Sequence, residues 1–223
     1  MDKKNINLMV DAATMVRKFV PETTIIPKEL SKFHNFIGFF SKDYKRYWTT
    51  IGYEIAHPAD TDWTIIFHEG VHVRQAKKYT RPGFAFLYLF PQVLALLAIL
   101  GVFLSPLWLL SLLFLLPLPA PFRMLFELEA YSMTVYTTQW KDGSQSDMKN
   151  LIDFILLQFT GKGYWYMWPF TGYIKRKLYK AQEDAFFLRH TVNDPYEIEV
   201  LQFLLDNNKI EKHGIISGIG GTD

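Results

Sequence analysis

From Phe84 to Phe122 the chain carries no Asp, Glu, Lys, Arg or His. No other feature limits what it can fold into so sharply. A helical bilayer crossing takes about 20 apolar residues. Phe84–Leu104 is long enough for one despite Pro91, but Pro106–Leu116 is too short to cross back, and Pro117, Pro119 and Pro121 break the stretch after it. Arg81 precedes the run and Arg123 comes directly after it, and arginine at both flanks places both ends on one side of a membrane. The run is therefore expected to form an apolar helical hairpin that turns near Gly101–Pro106 and dips into or partly through a bilayer. A hairpin buried in the core of a soluble protein is the alternative, because each leg alone has the length of a core helix.

The segments on either side of the run carry the chemistry. Upstream lies His68-Glu69-Gly70-Val71-His72. Histidines four apart share one helix face, so their imidazoles can converge on one metal ion while the intervening glutamate addresses a water molecule. The punctuation agrees with a helix. Asp60 or Thr61 is placed to cap it, Asp62 lies near its positive end, Lys77 and Lys78 lie near its C-terminus, and Pro82-Gly83 is expected to stop it. Trp63, Ile66, Phe67 and Val71 supply an apolar face. Gly70 is unfavourable in a helix interior and suits a close neighbour. Downstream, Phe126-Glu127-Leu128-Glu129-Ala130-Tyr131 as a helix puts Glu127, Ala130 and Tyr131 on one face and turns Glu129 away. Glu127 would complete a His2Glu set with one coordination position open. Both motifs meet only if the chain returns to the side it left, which excludes an odd number of crossings.

An HExxH helix followed by one reading Glu-x-x-Ala-Tyr resembles the gluzincin metallopeptidases. It is similar in style to the membrane-associated CAAX-protease and HtpX-like branch and to small bacterial and phage HExxH peptidases. The resemblance covers about Tyr47 to Trp140. It implies a zincin-like core, zinc (Zn2+) held by His68, His72 and Glu127, and Glu69 as general base. The membrane branch has Asp where this chain has Tyr131, so the choice between Glu127 and Glu129 as third ligand stays open. The implied activity is that of a membrane-associated, zinc-dependent endopeptidase. Its partners would be a peptide or protein substrate and, through residues 84–122, membrane lipid, with the active site on the cytoplasmic side. Tyr131, Tyr136 and His190 are candidate donors to the oxyanion. A non-catalytic membrane-associated or assembly protein that keeps the zincin-like fold is the alternative.

The remaining sequence frames this reading. With 49% hydrophobic and 17% aromatic residues the chain can build a core. A net charge of +2 gives no electrostatic case for a nucleic-acid partner. The absence of cysteine excludes disulfides and thiolate metal sites. The N-terminus shows no apolar segment with a cleavage site, so no signal peptide is expected. Helical periodicity predicts helices over 6–20, 123–140, 147–159, 173–190 and 196–207, and Ile25 to Phe40 reads as a loop and a short helix. Tyr47–Ala56, rich in β-branched and aromatic residues, reads as one strand that would border the cleft, as the resemblance implies. His57 before Pro58 reads as structural. Tyr164–Phe170 beside Lys175-Arg176-Lys177 is either a headgroup interface or an aromatic cluster next to a solvated helix. The expected fold is mainly α with a small β element (α+β): one zincin-like domain over 1–223, with 84–122 inserted and 214–223 a loose tail.

Overall fold

The computed structural model describes residues 3–31, 34–35, 44, 46–58, 62–141, 145–187 and 194–207. The fold is mainly α with a small three-stranded sheet. The proposed caps at Asp60 and Thr61, the candidate donor His190 and the 214–223 tail lie outside the described residues.

Helix α1 (Lys3–Phe19) buries Leu8, Ala12, Met15 and Val16, so its apolar face serves the core. Strand β1 (Thr24–Pro27) was not legible as a strand: four residues carry no periodicity, and its partner lies far along the chain. The expected single strand over 47–56 is two, β2 (Thr49–Ile51) and β3 (Glu54–His57), because the chain reverses at Gly52, whose φ is +63°. The sheet order is β1-β3-β2, with β1 parallel and β2 antiparallel to β3. β2 is therefore an edge strand.

Helix α2 (Ile65–Tyr79) carries the two histidines. Its apolar face, Trp63, Ile66, Phe67 and Val71, is buried as expected. The helix stops at Thr80, at φ 63°, and not at Pro82-Gly83. Those two residues open the next helix, α3 (Arg81–Leu89), where proline is tolerated because first-turn amides need no helical partner. The reversal at Thr80 folds α3 back along α2.

Residues 84–122 divide in two. Phe84 packs with Ala76 and Phe126 in a small core cluster, so the start of the block belongs to the body of the protein. Beyond Phe90-Pro91 the chain bends by 92° and leaves that body. A 3-10 helix over Gln92–Ala98 and helix α4 (Ile99–Phe103) run out, and a second 3-10 helix, Pro106–Leu115, runs back against them. The reversal falls at Leu104-Ser105, inside the expected range. The first leg is not the continuous helix that Phe84–Leu104 allowed, and among the described residues no single helix is long and apolar enough to cross a membrane. Nor is the hairpin buried, since most of its leucines face outward.

Helix α5 (Pro121–Lys141) lies against α2 and carries the second motif. Helices α6 (Gln145–Thr160), α7 (Thr171–Phe186) and α8 (Pro195–Asp206) complete the body around α5. The Trp140 indole at the end of α5 donates to the Ala185 carbonyl at the end of α7, while Ala120 donates to the Met167 carbonyl at their beginnings. The two helices thus run in the same direction.

Gly70 has a specific role in this assembly. The buried Tyr196 of α8 crosses α2 and donates its hydroxyl to the Phe67 carbonyl at 2.9 Å. A Cβ on Gly70 would lie 2.1 Å from that oxygen. Gly70→Ala should therefore destabilise the fold by about 1–3 kcal/mol, despite alanine's better helix propensity. In urea unfolding its effect should be non-additive with that of Tyr196→Phe, which removes the clashing atom.

Candidate metal centre

His68, His72 and Glu127 are brought together as one buried group, with a ligand atom from each within 4.8 Å of the others. His68 Nε2 lies 3.9 Å from Glu127 Oε2, and His72 Nε2 lies 3.6 Å from Oε1. Metal–ligand bonds of 2.0–2.2 Å arranged tetrahedrally separate their donor atoms by roughly 3.4 Å, so the spacing suits a common cation after a small closure. Glu129 is not in the group. It is exposed and accepts from the Gln75 side chain instead.

Hydrogen bonds fix how each imidazole is presented. Gln75 Nε2 donates to the Phe126 carbonyl at 3.1 Å and to Glu129 at 2.9 Å. Two acceptors on that side orient the amide, so its oxygen faces His72 Nδ1 at 2.9 Å and must accept from it. Similarly, the Thr134 hydroxyl donates to the Ala130 carbonyl and accepts from His68 Nδ1 at 3.0 Å. In the neutral rings both Nε2 atoms then carry lone pairs, and these are the atoms that face Glu127. Burial, followed by His72, holds the His68 pKa well below the usual histidine range. Glu127 is 1% exposed. Tyr88 of α3 donates its hydroxyl to Oε1, and Oε2 has no hydrogen-bond partner among the described residues. Two imidazole lone pairs and an orphaned carboxylate oxygen thus converge without a donor between them. That arrangement is unfavourable by itself and is what a cation neutralises.

Glu69 lies on the same helix with its Oε2 accepting from the Thr50 hydroxyl of β2 at 2.6 Å. Burial pushes its pKa up, while His72, Thr50 and Lys28 hold it partly down. Lys28 is buried nearby, donating to the Tyr44 carbonyl and to Thr49 Oγ1; burial pushes its own pKa down to about 8.

Of the two candidate oxyanion donors among the described residues, Tyr131 is placed at this centre and Tyr136 is not. The Tyr131 ring lies 4.8 Å from that of His68, and its hydroxyl donates to Tyr164 at 3.4 Å. Tyr136 lies nine residues beyond Glu127, roughly 13 Å along α5, and stacks on Trp140; it is not a donor here. His57 Nδ1 lies 2.8 Å from the Pro58 carbonyl, and its ring tilts against Trp48, in keeping with a structural role. Sequence reasoning missed Tyr88, Gln75, Thr134 and Thr50. Gln75, three residues after His72, was within reach of helical spacing. Tyr88 was not, because only the reversal at Thr80 brings it back.

In long-range 15N–1H spectra of metal-free protein, both histidines should appear as the Nδ1–H tautomer. Gln75→Leu should release His72 to a tautomer mixture and leave His68 unchanged. No protein-family model, no curated protein sequence and no solved structure matches this chain; its function must be argued from these side chains.

Proposed function

We propose that the protein is a membrane-associated, zinc-dependent endopeptidase. The observation that carries this reading is the buried Glu127 carboxylate, whose Oε2 has no hydrogen-bond partner among the described residues, set against two imidazoles whose outer hydrogen bonds direct Nε2 toward it, His68 at Oε2 and His72 at Oε1. Two nitrogens and one carboxylate oxygen, with no thiolate available, make a donor set that suits zinc with a position left for substrate. When bound there, zinc supplies Lewis acidity, polarising a carbonyl and making water a nucleophile near neutral pH.

The chain's own groups divide the remaining work. Glu69 takes the proton of the attacking water and returns it to the leaving amine. Its Oε2 is occupied by Thr50, which leaves Oε1 for the water. A carboxyl whose pKa is raised by burial suits that exchange. Tyr131, whose ring stands beside His68, turns its hydroxyl from Tyr164 to donate to the oxyanion. Tyr88 holds Glu127 from behind and orients the ligand. Association with a membrane is supported by the exposed leucine-rich hairpin beyond Pro91. The arginines that flank the apolar block in sequence, Arg81 and Arg123, favour the cytoplasmic face.

Elemental analysis should find one zinc per chain. Glu127→Ala should lose it, whereas Glu129→Ala should weaken binding by about 10- to 100-fold through Gln75; the reverse order would assign the wrong carboxylate. Glu69→Gln should keep zinc and fold but lose about 100- to 10,000-fold in peptide hydrolysis. Wild-type activity in that variant would rule out this mechanism and favour a non-catalytic role.

A deletion separates the two parts of the apolar block. Gln92 Nε2 reaches the Leu118 carbonyl at 3.4 Å, so the hairpin's ends lie close together. A short Gly/Ser linker in place of residues 93–117 should release the protein from membranes and spare zinc. Replacing the whole of 84–122 should lose both, because it removes Phe84 and Tyr88.

A further inference from the structure

The hairpin has the dimensions of a single leaflet. With a rise of about 2.0 Å per residue in 3-10 segments and about 1.5 Å in α-helix, the outgoing leg Gln92–Phe103 is roughly 21 Å long and the returning leg Pro106–Leu115 roughly 20 Å. Half of a bilayer, hydrocarbon and headgroup layer together, is about 20–22 Å. Exposure is greatest at the tip, with Phe103 at 77%, Leu104 at 69% and Leu107 at 74%. Between the legs, small residues allow close approach: Ser111 Oγ donates to the Ala95 carbonyl, and Gly101 lies against Leu109. At the tip, Ser105 Oγ accepts from the Leu107 amide. Both serines thus hydrogen-bond to backbone within the hairpin, as a lipid environment favours.

Around the base stands a collar of a different kind. The Trp165 indole donates to the Leu115 carbonyl at the end of the returning leg. Trp165, Tyr166 and Phe170 are each half exposed or more. Because α7 starts beside α5 and runs with it, its second turn stands just behind this collar. Lys175, Arg176 and Lys177 lie in this turn, fanned around the helix and exposed, and none forms an ion pair with a carboxylate among the described residues. Lys162, exposed beside Trp165, adds a fourth such cation.

We propose that this end of the molecule docks on an anionic phospholipid bilayer. The hairpin fills one leaflet, Trp165, Tyr166 and Phe170 lie at the headgroups, and Lys175, Arg176 and Lys177 meet the lipid phosphates. The inference rests on the membrane reading above and adds the charge of the lipid and the depth of insertion. Three independent features select lipid over a protein groove: a length matched to one leaflet, aromatic rings with polar handles at the level where the hydrocarbon ends, and consecutive cations without carboxylate partners. Glu127 lies six residues into α5, about 9 Å along its axis from the base. This docking sets the metal centre close above the lipid surface.

The test is co-sedimentation of the full-length protein with vesicles of phosphatidylcholine alone or mixed with phosphatidylglycerol, with metal content and circular dichroism recorded on the same samples. Binding should favour the anionic vesicles and fall as salt is added. Lys175→Gln/Arg176→Gln/Lys177→Gln should weaken binding to anionic vesicles roughly 100-fold and leave binding to neutral vesicles unchanged. Phe103→Asp/Leu107→Asp should abolish both without altering metal content. Equal partition of the native protein into neutral and anionic vesicles, or a triple variant that binds like the parent, overturns the inference and leaves membrane association standing. No binding to either vesicle overturns both. Self-association that the tip variant abolishes, without vesicle binding, would assign the hairpin to a second copy of this chain and overturns the proposal. The metal analysis decides the peptidase reading separately.

Discussion

The buried carboxylate of Glu127 is the constraint around which the structure is arranged. Taking an ionised carboxylate out of water costs several kcal/mol unless its oxygens are met. Here Oε1 is met by the Tyr88 hydroxyl and also faces His72, while Oε2 faces His68. That solution ties together three helices, since Tyr88 comes from α3, the histidines from α2 and the glutamate from α5. Sliding α5 by one residue would rotate Glu127 by about 100° around the helix axis and carry it out of the group. The register of α2 against α5 is therefore set by polar geometry as well as by the packing of Phe67, Val71 and Leu128.

The outer hydrogen bonds show the same economy. Each imidazole uses its Nδ1 on a neutral acceptor, Thr134 or Gln75, and these acceptors are themselves held by a backbone carbonyl of α5. The helix that supplies the carboxylate thus also orients both rings. Glu129, on the opposite face of α5, joins through Gln75. Two glutamates two residues apart thereby end in different environments: one is buried at the rings, and the other is exposed and two hydrogen bonds removed from His72.

How much of this could be read in advance depended on the range of the interaction. The spacing of His68, Glu69 and His72 needs only one helix, and the separation of Glu127 from Glu129 needs only another, so both were legible. The amphipathic helices were legible for the same reason. Tyr88 was hidden because it reaches Glu127 only after the turn at Thr80, where a β-branched residue adopts positive φ that nothing in its neighbourhood announces. The division of Tyr47–Ala56 into two strands hinged on Gly52, a residue that fits a turn or a strand equally until its partners are known. The apolar block looked like one insertion because charge is absent throughout. Packing divides it, with Phe84 and Tyr88 held by Phe126 and Glu127, Ala120 buried against Met167, and the hairpin between Pro91 and Leu118 left outside.

Arg123 joins these two halves. It is 7% exposed and meets no carboxylate among the described residues. Its Nε donates to the Tyr88 carbonyl, one Nη to Gln92 Oε1 and the other to the Tyr164 carbonyl. A buried guanidinium needs all of these acceptors, so each is held in place by the cost of losing it. Tyr88 is the last turn of α3 and Gln92 the first residue of the hairpin, and the same side chain grips both. From the 92° bend, Gln92 meets Arg123, Arg123 meets the Tyr88 carbonyl, and the Tyr88 hydroxyl meets Glu127, so a chain of hydrogen bonds through four residues links the base of the hairpin to the buried His68, His72 and Glu127 group.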